Sequence, residues 1–264
     1  MKKIVTVFYA IDTPWHVINF ATWFAKEQSA VIHAVFLKAD KENFNADYPF
    51  PNDLSITEPD TAERISDSNN ELIDKNILLF KEECELGRIP FSARKNLSVQ
   101  QLIDETADAD LMVADSRSDL LEKVLPRIHC PAFLASEDEL PQKVVLMYYN
   151  STSAKLAIEA YLSLLPQFKN LPAYLVSINP EKAGEKEMEI YIKEKLQPHF
   201  TNLILKTLHG NREQEMKNFL SELQGHIVVV MGAFGRSALS GFFHQSLANV
   251  ALGEKNISLF IAHK

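Results

Sequence analysis

A chain of 264 residues, 46% of them hydrophobic, can bury one large core or two of average size. Its 27 Lys and Arg stand against 35 Asp and Glu, and the net charge of −8 opposes nonspecific attraction to nucleic acid or anionic membrane. No apolar run reaches the roughly 20 residues of a membrane span, and Met1-Lys2-Lys3-Ile4 leads into a strand pattern with no cleavage-site signature. The expected location is the cytoplasm, with no nucleic-acid and no membrane partner. Cys84 and Cys130 have no metal-ligand spacing and are expected to stay reduced there.

In chain order, Ile4 to Tyr9 is β-branched and aromatic and predicts a strand. Trp15 to Lys26 has helical apolar spacing, and Ala30 to Leu37 is again strand-like. Lys38 to Asp60 is polar, holds Pro49 and Pro51, and reads as a long surface loop. Thr61 to Glu85 predicts a long amphipathic helix and Val99 to Thr106 a short one. Leu111 to Ala114 predicts a strand, Asp119 to Leu125 a helix and Ala132 to Ala135 a last strand. Strands separated by helices imply crossovers and a parallel sheet.

The pattern then starts over. Lys143-Val144-Val145-Leu146-Met147-Tyr148-Tyr149-Asn150 aligns with Lys3 to Ala10, and Ala154 to Leu165 is the matching helix. Ala173 to Ile178, Leu203 to Thr207, Ile227 to Met231 and Leu259 to Ala262 predict strands. Lys186 to Leu196, Arg212 to Leu223 and Leu247 to Leu252 predict helices. The chain is a duplicated α/β fold: residues 1–137, then 141–264, with the boundary in the polar stretch Ser136 to Pro141. Phe133-Leu134-Ala135 matches Phe260-Ile261-Ala262, and pairing these two last strands antiparallel would remove two exposed edges.

The halves differ after their fourth strand. Asp115 to Cys130 takes 15 positions, whereas Gly232 to Ile257 takes 25. The longer path holds Gly232-Ala233-Phe234-Gly235-Arg236-Ser237 and then Gln245-Ser246 at the start of a helix. Glycines there let the backbone turn sharply and approach a ligand, and the following helix start presents amides to an anion. Of the eight glycines only Gly87 lies in the first half, so that half is expected to lack a phosphate cradle.

Gly232-x2-Gly235-x9-Gln245-Ser246 resembles the nucleotide motif of the universal stress protein (UspA) family. His209-Gly210-Asn211, Ala109-Asp110-Leu111-Met112-Val113 and His129-Cys130-Pro131-Ala132-Phe133-Leu134 are similar to the family as well, and the resemblance covers nearly the whole chain. It implies two tandem Rossmann-like domains of the adenine nucleotide alpha hydrolase-like fold, each a five-stranded parallel sheet flanked by helices. The first domain would be degenerate. The second would bind ATP or another adenine nucleotide, with Mg, or would have lost its ligand. The implied contacts are Tyr148, Tyr149 and Asn150 at the first strand end and Ser177 on the second strand. Met231, Gly232, Gly235, Arg236, Ser237, Gln245, Ser246 and Leu247 follow on the loop. Two positions depart from the family: Tyr149 stands where an Asp is expected, and Gln245 where a third glycine belongs. The implied role is a stress-response module without catalysis; the alternative is a ligand-free, partner-binding scaffold. The implied assembly is an intrachain pseudo-dimer of the two domains, with a homodimer and a protein partner as further expectations. On this reading Gly232→Val weakens nucleotide binding without unfolding the sheet.

No catalytic residue and no metal site is expected. Ser237, Ser240 and Ser246 flank His244, but the second glycine of a nucleophile elbow is missing. The eight histidines are scattered, without metal-ligand spacing. Asp104, Glu105, Asp108 and Asp110 read as a solvated helix end.

Overall fold

A computed structural model describes residues 1–8, 14–37, 59–118, 120–148, 151–179, 185–232 and 256–262; in 59–70, 185, 186 and 213 it describes the backbone alone. The chain divides into two compact units, Met1–Ile128 and His129–Lys264.

The first unit runs β1 (Lys3–Phe8), α1 (Trp15–Gln28), β2 (Val31–Leu37), α2 (Pro59–Gly87), β3 (Phe91–Leu97), α3 (Val99–Glu105), β4 (Leu111–Asp115) and α4 (Leu121–Val124). Its strands lie in the order β3-β2-β1-β4, all parallel. Central β1 and β2 are almost entirely buried and predominantly apolar, broken only by Thr6 and His33 after the opening Lys3, as expected of strands covered on both faces. Edge strand β3, Phe-Ser-Ala-Arg-Lys-Asn-Leu, is exposed over its middle five residues. That exposure explains why its sequence carries no strand pattern. Ser98 closes the turn into α3 with a capping box: its hydroxyl accepts from the Gln101 N–H and the Gln101 side chain accepts from the Ser98 N–H. Such a cap contributes about 1 kcal/mol. The acidic run at the end of α3 is not simply solvated. Lys3 donates its N–H to Asp110 at 2.7 Å and its ammonium to Asp108 at 2.5 Å, which ties the run to the start of β1. The helix expected over Asp119 to Leu125 shrinks to the single turn of α4.

The second unit runs β5 (Ala132–Ala135), β6 (Lys143–Met147), α5 (Thr152–Leu164), a 3-10 turn (Pro166–Asn170), β7 (Ala173–Ile178), α6 (Glu185–Tyr191), β8 (Leu203–Leu208), α7 (Arg212–Glu222), β9 (Ile227–Gly232) and β10 (Ile257–Ala262). The order is β5-β10-β9-β6-β7-β8. All neighbours are parallel except β5 and β10, where Leu134 pairs with Leu259, Phe133 with Phe260 and Ala132 with Ile261 in antiparallel register. The expected antiparallel pair of last strands is therefore present, and through it β5 shares the second unit's sheet. The core strands β9 and β10 are buried throughout. After α6 the chain widens into one π-turn, Ile192–Leu196, closed by Gln197 N–H to the Ile192 carbonyl at 2.9 Å. The predicted helix Leu247 to Leu252 and positions 38–58 of the predicted loop lie outside the described residues, while Pro59 and Asp60 already belong to α2.

Cys84 and Cys130 are buried and unbridged, and burial, with the nearby Glu83 charge, pushes the Cys84 thiol up to about 12. That thiol is inert as a nucleophile. No described helix is long and apolar enough to cross a membrane, and no described group of His, Cys, Asp and Glu is placed to hold a metal ion.

Candidate functional site

Open parallel sheets bind ligands at the carboxyl edge, where successive connections leave a strand in opposite directions. In the second unit that point is the end of β6, with β7 on one side and β9 on the other. In the first it is the end of β1, between β2 and β4. The two are comparable residue by residue. Thr6 is in register with Val113, and Leu146 with Val230. Matching Lys3 to Lys143 superimposes Phe8 on Tyr148 and Asp115 on Gly232.

At the Gly232 position the units solve the same contact differently. A Cβ on Gly232 would lie 2.4 Å from the carbonyl carbon of Ser153, 2.5 Å from its oxygen and 2.7 Å from the nitrogen of Ala154. All three are backbone atoms of the first turn of α5. Glycine is thus needed for the end of β9 to rest on α5, whether or not a ligand comes near. Ser151 caps that helix, its hydroxyl accepting from the Ala154 N–H at 3.2 Å. The expectation that Gly232→Val leaves the sheet intact is corrected by this contact.

In the first unit Asp115 occupies the equivalent place and meets a side chain. His16, in the first turn of α1, brings Nε2 to 3.3 Å from Asp115 Oδ2. The Arg117 N–H donates to Oδ1 at 2.9 Å, and Arg117 Nε and Nη2 donate at 3.2 and 3.3 Å. Burial raises the Asp115 carboxyl, but the His16 and Arg117 contacts outweigh it and bring it from 3.8 down to about 2. A carboxylate held below its unfolded value stabilises the fold above that value and loses the contribution as pH falls through the folded one. Asp115→Asn is expected to cost up to about 2 kcal/mol at neutral pH, with the gap to wild type closing between about pH 4 and pH 2. Paired urea titrations across that range check it; a gap that persists at the acid end would show that shape, not charge, holds the contact.

The strand ends differ in a second way. In the first unit Phe8 stacks on its register partner Phe36, centroids 4.7 Å apart, and meets Phe80 of α2 in a tilted contact at 5.5 Å. In the second, Tyr148 stacks on Tyr191 of α6 at 5.5 Å and 25°. Ser177, the β7 residue beside Tyr148, is in the place of Phe36. Its hydroxyl is buried and has no partner among the described residues. Lys155 of α5 lies over the other member of the stack, Nζ 5.8 Å from the Tyr191 centroid. Burial, with the Glu187 charge, raises the Tyr148 phenol, so it stays neutral and able to donate.

At the ends of β7 and β8, Asn179 clasps the His209-Gly210-Asn211 turn. Asn179 Nδ2 donates to the Gly210 carbonyl at 2.8 Å, and the Gly210 N–H donates to Asn179 Oδ1 at 3.0 Å. Gly210 has φ +133 and Asn179 φ +48, conformations these residue types tolerate best. Asn211 Oδ1 then accepts from Gln214 N–H at the start of α7.

Of the expected contacts the structure therefore places four around one strand end: Tyr148 and Met231, both 2% exposed, Ser177 and Gly232. Tyr149, Asn150, Gly235, Arg236, Ser237, Gln245, Ser246 and Leu247 lie outside the described residues. Tyr191, Lys155 and Asn179 were not singled out by the sequence. Asn179 carried a signal in principle, as an Asn just past a strand; Tyr191 and Lys155 are ordinary helix residues until the fold brings them together.

No family model matches the chain, and no curated protein matches it either. The structure is similar to that of a universal stress protein from Archaeoglobus fulgidus DSM 4304, with a TM-score of 0.69 at 14% identity, covering 99% of this chain and 98% of that one. A protein of the universal stress protein family from Burkholderia pseudomallei matches with a TM-score of 0.36 at 17% identity, over 50% of this chain and 92% of that one. The first likeness establishes the fold as that of a universal stress protein.

Proposed function

We propose that the second unit carries an altered adenine-nucleotide site of a cytoplasmic stress-response module that binds without catalysis. The observation that supports this most is Ser177: a buried hydroxyl without a partner among the described residues, beside the stacked Tyr148 and at the switch-point strand end. An orphaned polar group of this kind costs stability until a ligand or water satisfies it. An adenine ring nitrogen or amine fits that need. Asn150 and the segment Gly235, Arg236, Ser237, Gln245, Ser246 and Leu247 would meet the nucleoside and phosphates. The nucleotide, when bound with Mg, supplies a polyanion for that segment. The first unit would bind none, because Phe36 fills the Ser177 place and the Asp115–His16 pair fills the Gly232 place.

Titration calorimetry of the full chain with ATP, on wild type and Ser177→Ala, tests the reading. Removing an unpartnered hydroxyl should leave stability unchanged or raised, while ATP affinity falls about tenfold. Equal affinity in both proteins would remove Ser177 from the site. One observation favours the scaffold reading: Tyr148 is only 2% exposed and has one face against Tyr191, which leaves little ring face for a base. Absence of any ATP heat, in wild type and in the back-substituted protein considered in the Discussion, would put that reading first.

A further inference from the structure

A second polar cluster lies at the opposite, amino edge of the second unit's sheet, where the β5–β6 connection crosses the starts of β9 and β10. His226, 5% exposed, sits between the connection and β10. Its Nδ1 is 2.6 Å from the Glu139 carbonyl, and its Nε2 is 2.9 Å from Ser258 Oγ. Ser258, wholly buried, is 3.2 Å from both the N–H and the Oγ of Ser136. The Gln142 N–H donates to the His226 carbonyl at 2.7 Å. Both ends of the segment 136–142 are therefore fastened to one histidine and one serine.

The protons of this cluster have one complete arrangement. A carbonyl only accepts, so Nδ1 carries the hydrogen and Nε2 is the bare acceptor. Ser258 O–H then donates to Nε2, and Ser258 Oγ accepts from the N–H and O–H of Ser136. Four donors meet four acceptor sites. Protonating Nε2 adds a donor and removes an acceptor. Ser258 can turn its hydroxyl toward Ser136 Oγ, but the Ser136 O–H is then left without an acceptor in the cluster. The new charge is also buried. Burial lowers the His226 proton affinity from its ordinary value, against the opposing Glu139 and Leu140 carbonyls and the Glu139 carboxylate. Of the other charged groups, Lys143 at the start of β6 donates its ammonium to the Gln224 carbonyl on the turn before β9.

We propose that His226 is an acid-sensitive clasp on the β5–β6 connection: neutral, it locks residues 136–142 to β9 and β10, and protonated, it releases them. The sign follows from linkage. A histidine whose folded value lies below its unfolded one stabilises the closed form above about pH 6.5, and that contribution is lost as pH falls toward the folded value.

Nuclear magnetic resonance on the full chain tests this. At pH 7 the His226 ring should be the Nδ1–H neutral tautomer. From about pH 6.5 downward, hydrogen-exchange protection of the Ser136 and Gln142 amides, corrected for intrinsic rates, should fall about tenfold or more and level off below the midpoint of the ring's own titration. Amides in the middle of β9 should keep their protection. His226→Gln keeps one donor and one acceptor with no titrating proton, and should abolish the pH dependence. An Nε2–H tautomer at pH 7 would overturn the proposal. So would protection that does not follow the ring titration, or a pH dependence that survives in His226→Gln. The tautomer and the titration are read on wild type, so the result does not depend on the variant folding.

Discussion

Gly232→Ala is expected to destabilise the second unit by about 3 kcal/mol, and Gly232→Val by more. The methyl group would lie 2.4 to 2.7 Å from three atoms of Ser153 and Ala154. Where the crowding atom ends a flexible side chain, a rotamer change relieves it. Here every crowding atom belongs to the backbone of α5, in the turn that Ser151 caps. Relief requires α5 to move off β9, and its buried face, Ala154, Ala157, Ile158 and Tyr161, would move with it. Denaturant unfolding measures the loss, with circular dichroism to confirm the folded baseline. A loss below about 0.5 kcal/mol would show that the helix slides freely on the strand. The experiment also bears on ligand studies: lowered nucleotide binding in a Gly232 variant would report a disturbed helix as much as a lost cradle, so Ser177→Ala is the cleaner probe.

Tyr149→Asp together with Gln245→Gly should bind ATP at least about tenfold more tightly than wild type. The argument is chemical and rests on the proposed site. Position 149 is where the family resemblance expects a carboxylate, and position 245 is where it expects a glycine. Aspartate would supply a charged acceptor at the nucleoside end, and a hydrogen bond to a charged group contributes about 1.5–3 kcal/mol. Glycine at 245 would remove the amide and methylene groups beyond Cβ at the phosphate end. Calorimetry on the double variant, with a folding control, reads the gain. A folded double variant with no gain over wild type would mean that these two positions do not govern binding, and the scaffold reading would lead.

The strands that the sequence displays most openly are the ones buried on both faces. Ile227 to Met231 and Leu259 to Ala262 are continuous apolar runs, and Ile4 to Phe8 is broken only by Thr6, because helices cover both faces of a parallel sheet. The repeat of that pattern was enough to give the antiparallel match of the last strands. The edge strand Phe91–Leu97 was invisible for the converse reason: an edge exposed over its middle five residues has no apolar pattern to show. The loss of the glycine segment after Asp115 was also legible, as a difference in spacing between the halves.

What replaced that segment was not legible. His16 and Asp115 stand 99 positions apart, and nothing local marks them as partners; the parallel register of β1 and β4 under α1 makes them neighbours. Gly232 looks the same in sequence whether a phosphate or a helix approaches it, and only packing shows the α5 backbone at that distance. The same holds for Tyr191 on Tyr148, and for the His226 cluster, whose members come from the connection, β10 and the start of β9. Burial and periodicity are properties of a segment and are written along it. Side-chain contacts between elements depend on register and crossover, and these are settled only when the strands have chosen their neighbours.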